Sequence, residues 1–179
     1  MNPKCSLLWI DLEMTGLDAE RDVILEIAAI ATDSNLETII EGPSLTIHQP
    51  QEFLDGMNDY VRDMHTKSGL LERVTQSKTS LLEAELAVIQ FAIETCDKEV
   101  YFAGNSIYQD RTFLKKYMPR LNERGHYRMV DVSTLKVLVQ AWYPTAPEIY
   151  FKKSKEHRAL IDIKESIEEL RHYRKYFFK

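Results

Sequence analysis

The chain has 179 residues, enough for one domain of ordinary size whose core needs no disulfides. Hydrophobic residues make up 44% and charged residues 28%, with only six glycines and six prolines, which excludes fibrous and disordered classes. A net charge of −5 lacks the basic excess of a protein that grips a long nucleic-acid track, but leaves short anionic ligands and cation-holding carboxylates open.

In chain order, the apolar run SLLWIDLE (6–13) reads as a buried strand. After a turn-like MTGLDAERD come VILEIAAIATD (23–33) and TIIEGPSLTIH (38–48), separated at Ser34-Asn35 and expected to form an antiparallel hairpin. Ser80-Leu81-Leu82-Glu83 fits a capping box, and Leu82, Leu86, Ile89 and Ile93 behind it mark the apolar stripe of a helix ending near Cys96. VYFAG (100–104) is a short strand, QDRTFLKKYM (109–118) a helix stopped by Pro119, and YRMVDV (127–132) another strand. Ser133 is the expected N-cap of the next helix, and a last helix runs from Ala159 to Tyr176 with Leu160, Ile163, Ile167 and Leu170 on one face. Three strands followed by alternating helix and strand predict an α/β fold, a mixed central sheet flanked by helices, with no domain boundary in residues 1–179. Cys5 and Cys96 lack metal-binding spacing, no leader pattern opens the chain, and no apolar run approaches the ~20 residues of a membrane span. A cytoplasmic protein with free thiols and no membrane contact is expected.

Asp11 and Glu13 are two apart in an apolar strand, so both project from one face, and two carboxylates there demand neutralisation. The pattern Asp-x-Glu is expected about once by chance. It recurs at Asp18/Glu20 and Asp97/Glu99, where polar turns make solvated acids the ordinary reading. Asp110 follows a strand and Gly104-Asn105, a place where an acid also simply complements a helix dipole, and Ser106 fits a turn or cap. His157 precedes Asp162 by five residues, and His126 precedes Asp131 by the same interval; the basic segment KKSKEHR (152–158) makes His157 the better candidate to meet a phosphate.

Taken in order, Asp-x-Glu, Gly-Asn-x-x-x-Asp and His-x-x-x-x-Asp resemble the Asp-Glu-Asp-Asp 3′→5′ exonucleases of the histidine subtype, which have a ribonuclease H-like fold. WIDLEMTGLD (9–18), MHTKSGLLERV (64–74), GNSIYQDRTFLKKYMP (104–119), HYRMVDVSTLK (126–136) and HRALIDIKESIEEL (157–170) extend the resemblance to the oligoribonuclease family over nearly the whole chain. The chain departs from that family's pattern at Ile161, where an Asp is usual, at Tyr108, where a Gly is usual, and at Tyr60, where a Trp is common.

The resemblance implies a 3′→5′ exoribonuclease that hydrolyses dinucleotides and other very short oligoribonucleotides to nucleoside 5′-monophosphates. It implies two divalent cations, Mg²⁺ or Mn²⁺, held by Asp11, Glu13, Asp110 and Asp162, with His157 as general base. It further implies that Leu17 wedges against the bases beside Tyr60 and His65, and that Ser106, Ser133 and Thr134 bind the 5′ phosphate. Tyr127 and Arg128 would come from the second subunit of a homodimer. Without the resemblance, Leu17 is an apolar turn residue and Arg128 a solvated strand-end charge. The competing expectations are a broader DNA or RNA 3′→5′ exonuclease of the proofreading or trimming type, using the same acids, and a catalytically silent binding module.

Overall fold

A computed structural model describes residues 5–152 and 158–178. Strand β1 spans Cys5–Met14, β2 Ile24–Thr32 and β3 Ile39–Thr46. Helices α1 (Gln51–Asp55), α2 (Asp59–Lys67), α3 (Leu70–Gln76) and α4 (Leu81–Thr95) lead to β4 (Cys96–Gly104). Then follow α5 (Ile107–Tyr117), α6 (Pro119–Arg124), β5 (Gly125–Asp131), α7 (Val132–Trp142), a 3₁₀ turn at Pro147–Ile149 and α8 (Ala159–Phe177). Among the described residues the strands make one sheet in the order β3-β2-β1-β4-β5. The first three strands pair antiparallel, as the hairpin reading expects, whereas β1–β4 and β4–β5 are parallel. The expected mixed sheet with flanking helices is what forms.

Alternation along β1 assigns its side chains to two cores. Leu8, Ile10 and Leu12 pack with residues of α4, α5 and α6 on one face of the sheet. Leu7 and Trp9 pack with Val132, Val139, Ile163, Ile167 and Tyr173 on the other. Asp11 and Glu13 continue the odd series, so the pleat delivers both to the face that α8 covers. Strand β2 is buried at every position. Its alternation puts Glu26 on that same face, directly opposite Glu13 in the ladder.

The capping box of α4 forms as expected: Ser80 and Glu83 bond each other's backbone N–H groups. The buried stripe does not. Leu82, Leu86 and Ile93 lie on the exposed side, and Ala84, Glu85, Val88 and Ala92 face inward. Small side chains let the helix sit close to the sheet, which outweighs the larger apolar area of the leucines. Ser133 is likewise not the N-cap of α7; Asp131 caps it, its Oδ1 accepting from Ser133 N at 2.9 Å. A carboxylate two residues back reaches the first free N–H groups, so the helix begins two residues earlier. Helices α1–α3 and α6 carry too short a periodic pattern to be read from the sequence.

The inward-facing Glu85 has a clear task. Pro119 opens α6 without an N–H, and Glu85 Oε1 accepts from the next two donors, Arg120 N at 2.9 Å and Leu121 N at 3.2 Å. Glu85→Ala strips both donors of their acceptor and is expected to cost about 1–3 kcal/mol. Urea denaturation measures this, and an unchanged midpoint would show the cap to be dispensable.

Candidate active site

The acids meet where β1 outlasts its neighbour. Strands β1 and β4 pair in parallel as far as Trp9 and Ala103, and β4 ends at Gly104, where the chain turns into α5. A Cβ on Gly104 would lie 3.1 Å from Ile10 O, so a side chain here would push the turn a few tenths of an ångström away from β1. Beyond that point the N–H of Leu12 needs another acceptor, and Asp110 Oδ1 takes it at 2.9 Å. The bond spans 98 residues and docks the first turn of α5 against the end of β1.

Asp11, Glu13 and Asp162 each offer an oxygen within 4.8 Å of the others. Asp162 arrives from the first turn of α8, which lies over the face that Asp11 and Glu13 share. Asp110 stands beside this trio and is buried. Burial and the neighbouring charges of Asp162, Glu26 and Asp110 push Glu13 up to about 8. Asp110 is pushed up to about 7, chiefly by burial and against the pull of its backbone hydrogen bonds. The oxygens of Asp11, Glu13 and Asp162, with Asp110 beside them, are donors that suit a hard divalent cation, whose charge would offset the upward shifts.

Glu26 was not legible as a site residue, although a lone acid in the apolar run ILEIAAIAT was its signal. It sits behind Glu13, paired with Arg73 at 3.3 Å and accepting from Ala159 N, the first residue of α8, at 3.3 Å. It thereby ties the start of the Asp162 helix to β2. His65 lies behind the end of β1. Its ring is fully buried, with Nε2 2.8 Å from Met14 O and Nδ1 3.9 Å from Glu13. It braces the end of β1 through Met14 O.

Ser106 and Ser133 converge at the N-termini of α5 and α7, their hydroxyls 3.2 Å apart, with Thr134 exposed beside them. Asp131 Oδ1 joins the two helix starts by accepting from both Ser106 N and Ser133 N. Asn105, unremarked in the sequence, accepts from Ser133 and donates to Ser166 and Glu169 on α8, linking this pocket to the helix that carries Asp162. Leu17 is 72% exposed on a loop that Gln109 of α5 holds through Leu17 O at 2.6 Å. It lines a cleft of about 490 Å³ between that loop and the α1 segment. Tyr60 on α2 and Tyr108 on α5 are exposed.

Tyr127 and Arg128 do not join the acids. Asp131 is the residue of β5 level with Gly104, so they lie three or four residues back, roughly 10–13 Å along an edge strand. The second His-x-x-x-x-Asp pair is split: His126 lies 3.9 Å from Glu99 and accepts from Arg128 N, while Asp131 caps helices. His157 lies outside the described residues.

A family model described as Exonuclease matches residues 8–170. The chain is 52% identical over 179 residues to oligoribonuclease of Pseudomonas aeruginosa, covering 99% of this chain and 98% of that one. The chain belongs to the oligoribonuclease family of exonucleases. A probable oligoribonuclease of Caenorhabditis elegans is 50% identical over 96% of this chain and 89% of its own. Exonuclease I from Methylocaldum szegediense superposes with a TM-score of 0.74 at 21% identity, covering 98% of this chain but only 41% of that chain. This likeness establishes the ribonuclease H-like exonuclease fold. Membership makes the chain a hydrolase of phosphodiester bonds, and among the described residues no helix is long and apolar enough to cross a membrane.

Crowded acids make the protein's stability depend on pH in a definite sense. A carboxyl whose pKa folding raises holds its proton more tightly when folded, so stability falls as pH climbs from the ordinary carboxyl range toward the raised value. For Glu13 that window runs from 4.5 to about 8. In chelator, the melting temperature should therefore fall between pH 5 and 8, and Glu13→Gln should flatten the fall. Added Mg²⁺ or Mn²⁺ should stabilise more at pH 8 than at pH 5, because binding needs the ionised form. A cation effect independent of pH would contradict this account of the cluster.

Proposed function

We propose that this oligoribonuclease removes nucleotides from the 3′ end of very short RNAs, dinucleotides above all, and releases nucleoside 5′-monophosphates. The observation that carries the reading is the convergence of Asp11, Glu13 and Asp162 beside Asp110 in a chain about half identical, end to end, to named oligoribonucleases. Asp11, Glu13, Asp110 and Asp162 hold two divalent cations, Mg²⁺ or Mn²⁺. When bound, these ions neutralise the charge on the scissile phosphate and acidify the attacking water.

The chain's own groups do the rest. His157 lies two residues before α8 in the sequence and accepts the water's proton, a task that suits imidazole because its pKa lies near working pH. Ser106, Ser133 and Thr134 receive the 5′ phosphate between two helix N-termini, where backbone dipoles favour an anion. Leu17 wedges between bases and Tyr60 stacks at the edge of the site. Tyr127 and Arg128, set back from their own acids, reach the substrate of a second subunit in a two-fold dimer. The chain acts as one exonuclease domain, in the cytoplasm, with Cys5 and Cys96 as buried free thiols.

Chelator should abolish hydrolysis of a dinucleotide, and Mg²⁺ or Mn²⁺ should restore it. Asp110→Asn should be nearly inactive, and His157→Ala should lose roughly 10²–10⁴ in kcat while still binding metal. Product analysis on di- and decanucleotides tests the substrate class: equal use of both would favour the broader trimming exonuclease.

Salt dependence gives an independent check. A dinucleotide offers one or two phosphates, so a log–log slope of binding against salt of about −1 to −2 is expected. A slope near −6 would point to an extended track instead.

The dimer is tested by complementation. Arg128→Ala and Asp110→Asn homodimers should each be impaired, and mixed dimers should regain one intact site and exceed both parents. Activity that stays at the parental average after proven subunit exchange would place Arg128 within its own chain's chemistry or outside it altogether.

A further inference from the structure

The turn of α5 that sends Asp110 toward β1 sends the next residue the other way. Arg111 is buried between α5 and the start of β5. One Nη donates to His126 O at 2.6 Å and Tyr127 O at 3.3 Å, and the other to Gly125 O at 3.2 Å. Its Nε donates to Asn122 Oδ1 at 3.2 Å, and its guanidinium carbon lies 5.4 Å from the centre of the Phe102 ring. Among the described residues it makes no ion pair; carbonyl dipoles carry the cost of burying its charge.

Three successive carbonyls turned toward one cation are not strand geometry, in which successive carbonyls point to opposite sides. The register between β4 and β5 slips at this place, between the pairs Val100–Gly125 and Phe102–Met129. β5 is the last strand of the sheet, so no second ladder corrects the slip. Irregularities of this kind re-aim side chains near active sites. Here they aim an assembled group: the Arg128 guanidinium lies 4.9 Å from the Tyr127 ring centre, that ring lies 4.3 Å from the His126 ring, and Arg128 N donates to His126 Nδ1.

We propose that Arg111 is a positioning residue for substrate capture: it fixes the backbone from which Tyr127 and Arg128 project, and so sets the preference for very short RNA without touching the substrate. The inference rests on the reading above that Tyr127 and Arg128 grip the substrate. The planar fork spreads its donors over three carbonyls and Asn122 at once, which a single ammonium does not reproduce, so lysine is no substitute.

The test is steady-state kinetics of the full chain with Mg²⁺, on a dinucleotide and a decanucleotide, for Arg111→Lys, Arg128→Ala and the double variant. Arg111→Lys keeps the charge and should raise KM for the dinucleotide roughly tenfold with kcat within about twofold, erasing the same factor of discrimination against the decanucleotide. The double variant should lose clearly less than the product of the two single losses, since both act through one group. A residue serving only stability would lower the melting temperature and leave the KM of the folded fraction unchanged, which overturns the proposal. Multiplicative losses in the double variant overturn it too. An Arg128→Ala enzyme with unchanged KM defeats the underlying reading instead. Should Arg111→Lys fail to fold, Asn122→Ala releases only the Nε and should raise KM in the same direction by a smaller factor; no rise there counts equally against the proposal.

Discussion

Carboxylates want water, and this fold gathers several of them at the end of a largely buried central strand. Asp11 and Glu13 leave β1 on one face, Asp162 meets them from α8, Asp110 closes in from α5, and Glu26 stands directly behind Glu13. Burial raises the cost of charge on Glu13 and Asp110, and for Glu13 the nearby Asp162, Glu26 and Asp110 add to it. Such an arrangement persists because the surrounding elements are pinned in place, in part by the same carboxylates.

The pinning is done by polar groups that finish broken backbone patterns. Asp110 takes the Leu12 N–H where β4 has stopped, and Asp131 takes the first amides of two helices. Glu26 takes the first amide of α8, and Glu85 takes those of α6. In every case a carboxylate satisfies donors that the end of an element leaves over, and thereby sets the position of that element. Two of these acids belong to the catalytic neighbourhood and two do not, so the physics of capping and the physics of the site are the same. Helix α5 shows the economy of this. Adjacent residues on it dock the end of β1 through Asp110 and the start of β5 through Arg111.

The cores on the two faces of the sheet follow from the same strand. The even side chains of β1 face α4–α6 and the odd ones face α7 and α8, so the acids emerge on the side where α8 begins. Tyr127 and Arg128 lie on an edge strand, away from that corner, a position that suits the proposed second subunit.

Much of this was legible in the residues alone. Strand periodicity located β1–β5 to within a few residues, the capping box located the start of α4, and the spacing of Asp11 and Glu13 put them on one face, because pleat and helical turn are local properties of the backbone. The resemblance of the motifs carried the rest of the acid set. What the sequence could not decide was which residues an element turns inward when its partner surface is far away in the chain. Leu82, Leu86 and Ile93 look like the buried stripe of α4, yet the sheet accepts Ala84, Val88 and Ala92, because close approach depends on the shape of a surface built from other segments. The same reason hid the roles of Glu26, Asp131 and Arg111. Their partners are orphaned donors and carbonyls created by where other elements stop, and those endings exist only once the chain has folded.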